Sequence, residues 1–236
     1  MKRGSRGIGL IELMIAMTLG LLVVLAVTQI FLSAKNTYQS QSAAAAMQED
    51  ARFVLSKMMQ EIRMVGMIGC LATVEDKSDN STYSAVFDNP ITYTNDNGVA
   101  VLTLVGADVG TTGGTPTWTI LSDCRTSATA YTGAKAPLAG QIAFPIRSNV
   151  YTFRNNQLLT GPANNRLVLV NNVRAFDVTF GMATGSSDEK VEKYIAKPVD
   201  TALIRSVRLT LTLSDPNNRV RNQTFNVVVS LRNRLL

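Results

Sequence analysis

Histidine is absent from all 236 residues. That removes the imidazole on which Ser-His-Asp and Cys-His catalysis depend, and the ligand used by most zinc sites. Carboxylates do not gather into a convergent acid pair either, so the residues argue against an enzyme and call for no cofactor. Asp76, Asp79, Asp88 and Asp96 are scattered among asparagines without EF-hand spacing. Calcium on these oxygens is conceivable, but loop turns explain them better. The glycine-rich stretch Gly106 to Gly114 has no Lys-Ser/Thr ending, which excludes a phosphate loop. Proline is missing from Ile8 to Val65, and charge is missing from Leu13 to Leu32.

That charge-free run is what the chain is organised around. Its 20 residues make a helix of about 30 Å, the thickness of a bilayer's hydrocarbon core. Lys2, Arg3 and Arg6 precede it, and removing them from the net charge of +6 leaves +3. The basicity is thus in part a targeting feature and does not by itself indicate a nucleic-acid partner. The run is longer than the core of a cleaved secretory signal, and no A-x-A-like site follows it. It reads as a single-pass anchor with the N-terminus cytoplasmic and the bulk of the chain outside. Both cysteines, Cys70 and Cys124, lie beyond the anchor. Outside the cytosol a lone pair favours a disulfide over a metal or redox site, with buried free thiols as the alternative. Glu12, at the edge of the run, has two readings: a carboxylate resting in the headgroup region, or one that meets a positive partner in an assembly.

Gly7-Ile8-Gly9-Leu10-Ile11-Glu12-Leu13-Met14, after a short basic leader, resembles the cleavage and N-methylation motif of type IV pilins and pseudopilins. The resemblance implies cleavage after Gly7 by a prepilin peptidase and methylation of the new amine on Ile8. Glu12 then stands at the fifth mature position, the signature acid of that family. It implies that Glu12 faces the N-terminal amine of a neighbouring subunit in a dry filament core, where an unpaired charge would be costly. Ile8 and Gly9 depart from the usual Phe and Thr or Ser at the first two mature positions.

The helical pattern continues past the bilayer. Lys35 to Gln48 is polar and alanine-rich, and Met47, Ala51, Val54, Met58, Ile62 and Val65 then recur at spacings of 3 or 4. Polar Glu49, Arg52, Lys57, Gln60 and Arg63 lie between them. One helix from Ile8 to Val65 would be about 87 Å long, with Gly66 and Gly69 as its stop. Downstream, apolar runs are short. Val99 to Val105 is a strand after the turn Asn97-Gly98, and Gly106 to Pro116 reads as loop. Val150 to Arg154 and Gln157 to Thr160 flank Asn155-Asn156 as a hairpin, and Leu167 to Val170 and Val173 to Phe180 follow. In Leu203 to Leu213, Val207, Leu209, Leu211 and Leu213 point one way, while Ser206, Arg208, Thr210 and Thr212 point the other. A return strand carries Phe225, Val227, Val229 and Leu231. The expected fold is α+β: a long N-terminal helix packed on an antiparallel sheet, the strands forming a long meander that ends in a hairpin. The expected division is a leader over 1–7, a membrane or filament-core half-helix over 8–32, an amphipathic half over 33–66 and a periplasmic β-rich domain over 67–236.

Three further blocks resemble the PilW group of minor pilins: Met64 to Cys70, Leu169 to Gly181 and Val227 to Leu236. Leu71 to Ala139 carries little of that likeness apart from Cys124, and is expected to be variable and surface-facing. The resemblance implies a tip or priming complex with other minor pilins, beneath which major pilin polymerises, supporting motility, adhesion or DNA uptake. The partners it implies are those pilins, the prepilin peptidase, the inner-membrane assembly platform and the membrane, with the pilus as final location. A type II secretion pseudopilin shares the same leader and helix, and a membrane-anchored adhesin or DNA-binding module that does not polymerise is the rival of another class. Six arginines (Arg205, Arg208, Arg219, Arg221, Arg232 and Arg234) against the single acid Asp215 favour a solvated face or an acidic neighbour over DNA capture.

Overall fold

Helix α1 runs without a break from Leu10 to Arg63 in a computed structural model of the chain. The structure describes residues 9–108, 114–162, 165–185, 188, 190–198 and 200–231. At 54 residues the helix is about 81 Å long. Its two parts have different surroundings. The first buried side chain is Ala43, and from there Met47, Ala51, Val54, Leu55, Met58 and Ile62 form one buried stripe. The helix ends at Met64, Gly66 adopts φ +73°, and Val65 bridges Gly106.

Strands β1 (Glu75–Asp76), β2 (Ile91–Asp96), β3 (Val99–Ala107), β4 (Trp118–Ser122), β5 (Ala128–Thr132), β6 (Ile142–Arg154), β7 (Gln157–Thr160) and β8 (Leu167–Val170) make one sheet. A short helix, α2 (Thr82–Phe87), lies between β1 and β2. The order is β1-β5-β4-β6-β3-β2, with β7 and β8 continuing from the far end of β6. A second sheet runs β10 (Lys193–Ile195), β9 (Val173–Met182), β11 (Ile204–Leu213) and β12 (Gln223–Ser230). All pairs are antiparallel except β1 with β5. The α+β class is as the residue pattern indicates, but the meander is not. Strands β8 and β9 are separated only by Asn171 and Asn172, yet belong to different sheets. Alternation tells which face a residue takes, and pairing partners need non-local contacts.

The α1 stripe packs with Val173, Phe176, Val178 and Phe180 of β9 and Val207, Leu209, Leu211 and Leu213 of β11, and with Leu102, Tyr151 and Leu158 of the first sheet. A second cluster gathers Tyr83 of α2 with Val105, Trp118, Ile120, Ala130 and Ile146. Leu104 and Val105 are consecutive in β3 and join different clusters, so the first sheet has a core on each face. The stretch expected to be variable and surface-facing therefore supplies much of this second core. Gly106 also departs from expectation: it is strand, not loop, because β3 runs on to meet Met64 at the helix exit. Ser206, expected on the polar face, is buried beside a register shift and lies 3.0 Å from the Tyr194 hydroxyl.

Candidate functional site

The bare half of α1 is the feature the globular part leaves unexplained. Leu10, Ile11, Leu13, Met14, Ile15 and most of the apolar side chains on to Leu32 are exposed. An 18-residue window here has mean hydropathy 2.6, and none of it is buried. Transfer of such a surface from water is strongly favourable, so the helix is built for an apolar surrounding. Its few hydroxyls are already spent internally. Thr18 Oγ1 donates to the Ile15 carbonyl at 2.9 Å, and Thr28 Oγ1 to the Val24 carbonyl at 2.7 Å. A back-bonded hydroxyl presents little polarity to lipid or to a packed helix.

Glu12 stands in the first turn of α1, where the helix dipole favours negative charge. Gly9 is the N-cap in extended conformation, with no side-chain cap, and its carbonyl accepts from the amides of Glu12 at 3.0 Å and Leu13 at 3.2 Å. The Glu12 carboxylate is exposed and makes no hydrogen bond or ion pair among the described residues. Gly7 and Ile8, the expected cut and methylation positions, lie outside the described residues, so the relation of Glu12 to them is not part of this geometry.

The other half of the helix is fastened to the domain by a polar group that the periodicity did not reveal. Glu61 is buried in the helix interface, where it accepts from the Tyr151 hydroxyl of β6 and pairs with Lys57 one turn earlier. Burial, and then the Glu61 charge and hydrogen bond, push the Tyr151 hydroxyl well above its ordinary range, so it stays a donor. Glu61 follows Met58 by three positions and Lys57 by four, spacings that place it on the flank of the buried stripe. That spacing was the available signal.

Cys70 and Cys124 form a disulfide, with Cα atoms 5.4 Å apart, that ties the chain just past the helix to the turn between β4 and β5. Of the acids considered for calcium, Asp76 serves local structure. Asp76 accepts from the amide and hydroxyl of Ser78 and from the Ser84 amide. Partial burial raises its pKa, but these donors outweigh it and hold the carboxyl at about 2. No three metal-ligating side chains converge among the described residues.

Among the described residues the C-terminal arginines do not form one open patch. Arg205 is buried and donates to the carbonyls of Ala202 and Asp188, each at 2.8 Å. Arg208 lies 3.8 Å over the Tyr194 ring. Arg219 pairs with Asp215, and its hydrogen bonds to that carboxyl hold it well below the usual range. Arg221 is exposed, and Arg232 and Arg234 lie outside the described residues. Three of the six are thus committed to intramolecular contacts, which weakens the case for DNA capture.

Among known protein families, the prokaryotic N-terminal methylation motif matches residues 2–28. No curated protein matches the chain. The match spans the basic segment, Gly7, Ile8, Glu12 and most of the charge-free run. The chain carries the N-terminal methylation motif of the type IV pilin and pseudopilin superfamily, and residues 10–28 of the match lie on the half of α1 that the fold leaves bare.

Proposed function

We propose that the chain is a minor pilin of the PilW type. It would enter the inner membrane through α1 and be cut after Gly7. It would then be methylated on Ile8, and join other minor pilins in a tip or priming complex on which major pilin polymerises. The observation that carries this reading is the bare apolar half-helix with one carboxylate, Glu12, in its first turn and no partner for it among the described residues. A plain anchor needs no acid there.

The work is packing, not chemistry. In the bilayer the carboxylate sits near the interface, where its cost is modest. On moving into a filament the apolar half exchanges lipid for neighbouring helices, and Glu12 meets the amine of a neighbour's Ile8. An unpaired charge in a dry core costs several kcal/mol, so one axial register is favoured over its alternatives. The packed half, held by the stripe and by Glu61, carries the globular domain along. A type II secretion pseudopilin would use the same motif and the same physics, and the filament in which the protein is found separates the two.

The N-terminal mass of the protein from cells with active prepilin peptidase tests the first step. The expected chain begins at methylated Ile8, and a chain still beginning at Met1 sinks the pilin reading. Glu12→Ala should leave that cut intact and lower the protein's recovery in sheared filaments by at least about tenfold. Normal recovery would show that the carboxylate does not pair.

A further inference from the structure

Strand β2 ends the first sheet, and no strand pairs with its outer edge among the described residues. The register identifies the free groups. Asp96 pairs with Val99 across the turn Asn97-Gly98, whose φ values are +50° and +78°. In a two-residue hairpin the closing pair is hydrogen-bonded, so Thr94 with Val101 and Thr92 with Thr103 are bonded pairs as well. The Val105 amide donating to the Pro90 carbonyl at 2.7 Å continues that series. The amides and carbonyls of Ile91, Tyr93 and Asn95 therefore point away from β3, and no main-chain partner meets them among the described residues.

These groups face a cleft of about 250 Å³ lined by all six residues of β2 and, opposite, by Lys197, Pro198 and Thr201. Thr201 Oγ1 donates to Asn89 Oδ1 at 2.8 Å, which fastens the far wall near the start of β2. Of the outward residues Ile91 is buried, Tyr93 half-buried and Asn95 exposed, so the reachable part of the edge lies toward the hairpin. Edge strands are commonly blunted by a bulge or a covering element, and β2 pairs in continuous register with no bulge. Lys197 on the wall makes no ion pair among the described residues. An edge with two reachable outward residues and, across the cleft, an unpaired ammonium suits strand addition by an extended peptide.

We propose that the outer edge of β2 is a docking site for an extended segment of a neighbouring protein subunit, added as a further strand with a carboxylate set against Lys197. This rests on the reading of the chain as an assembly subunit. Main-chain pairing with Tyr93 and Asn95 gives the affinity, and Lys197 with Asp96 at the open end selects the side chains that enter.

Hydrogen–deuterium exchange read at single residues tests it on the full chain, comparing detergent-solubilised monomer with the largest complex recovered from membranes or sheared filaments. In the monomer the amides of Tyr93 and Asn95 exchange fast, while those of Thr92 and Thr94 are protected. In the complex these two outward amides are expected to slow at least 100-fold. If a complex is recovered and they stay fast, the docking edge is overturned and the assembly reading stands. If the protein is a monomer in every fraction, both fall. Asn95→Pro removes one outward donor without touching the ladder to β3 and is expected to cut the share of protein in the complex about tenfold. Asn95→Ala is expected to leave it unchanged. Equal assembly by both variants, with thermal unfolding as in the parent chain, also overturns the proposal.

Discussion

Two carboxylates on one helix carry opposite burdens. Glu12 is exposed with no internal partner among the described residues, and Glu61 is buried with two. Gly9 and Glu12 occupy the N-cap and third helical positions, the spacing at which a Ser or Thr with a Glu would form a reciprocal capping box. The hydroxyl that Gly9 lacks is thus a helix cap, and its loss leaves first-turn amides for other acceptors. Glu61 is the opposite case. Tyr151→Phe keeps the ring in the core but strips one donor from a buried carboxylate, leaving Lys57 alone to serve it. The expected cost is about 1–3 kcal/mol, seen as a lower thermal midpoint of the oxidised protein. An unchanged midpoint would mean that water or Lys57 satisfies the carboxylate unaided.

At the level of elements, the exit of α1 decides how the helix meets the sheets. Val65 bridges Gly106, and the Gly66 amide donates to the Val105 carbonyl, which Pro90 has no N–H to serve. A Cβ on Gly106 would lie 2.0 Å from the Met64 carbonyl oxygen, a backbone atom with little room to yield. Gly106→Ala is therefore expected to destabilise by about 1–3 kcal/mol or more, and denaturant unfolding measures it. Gly98, in open space at φ +78°, should cost only about 1 kcal/mol as Ala. This contrast also marks what could be read from residue order. The stripe Met47 to Val65, the Asn97-Gly98 and Asn155-Asn156 hairpins and the alternation in β11 from Val207 to Leu213 are local patterns, and each appears where periodicity places it. The β3–β6 neighbourhood, the split of β8 from β9 and the contact of Gly106 with the helix depend on residues far apart in the chain, which local patterns do not encode. On the helix, Glu12 was legible as a lone acid beside a charge-free run, whereas Glu61 was hidden because charged residues on an amphipathic helix ordinarily face water.

For the whole molecule, the first sheet is a partition with a core on each side, and the disulfide belongs to only one of them. Cys70 follows the helix exit, and Cys124 closes the turn between β4 and β5, both strands of the second cluster. That cluster is the smaller, and it holds Trp118, the single tryptophan of the chain. A crosslink across a 54-residue separation stabilises by roughly 4 kcal/mol in the chain-entropy model. Most of that should be felt by the cluster it closes, while the helix stripe and the second sheet keep their contacts. Replacing both cysteines by Ser is expected to shift the Trp118 fluorescence transition to lower denaturant by the equivalent of about 2–4 kcal/mol. The helical circular dichroism signal, dominated by α1, should shift less. Two separated transitions would show that the helix and its sheet form one cooperative unit and the Trp118 cluster another. A single shared transition, displaced equally for both signals, would show instead that the first sheet couples its two faces tightly enough for the molecule to unfold as one.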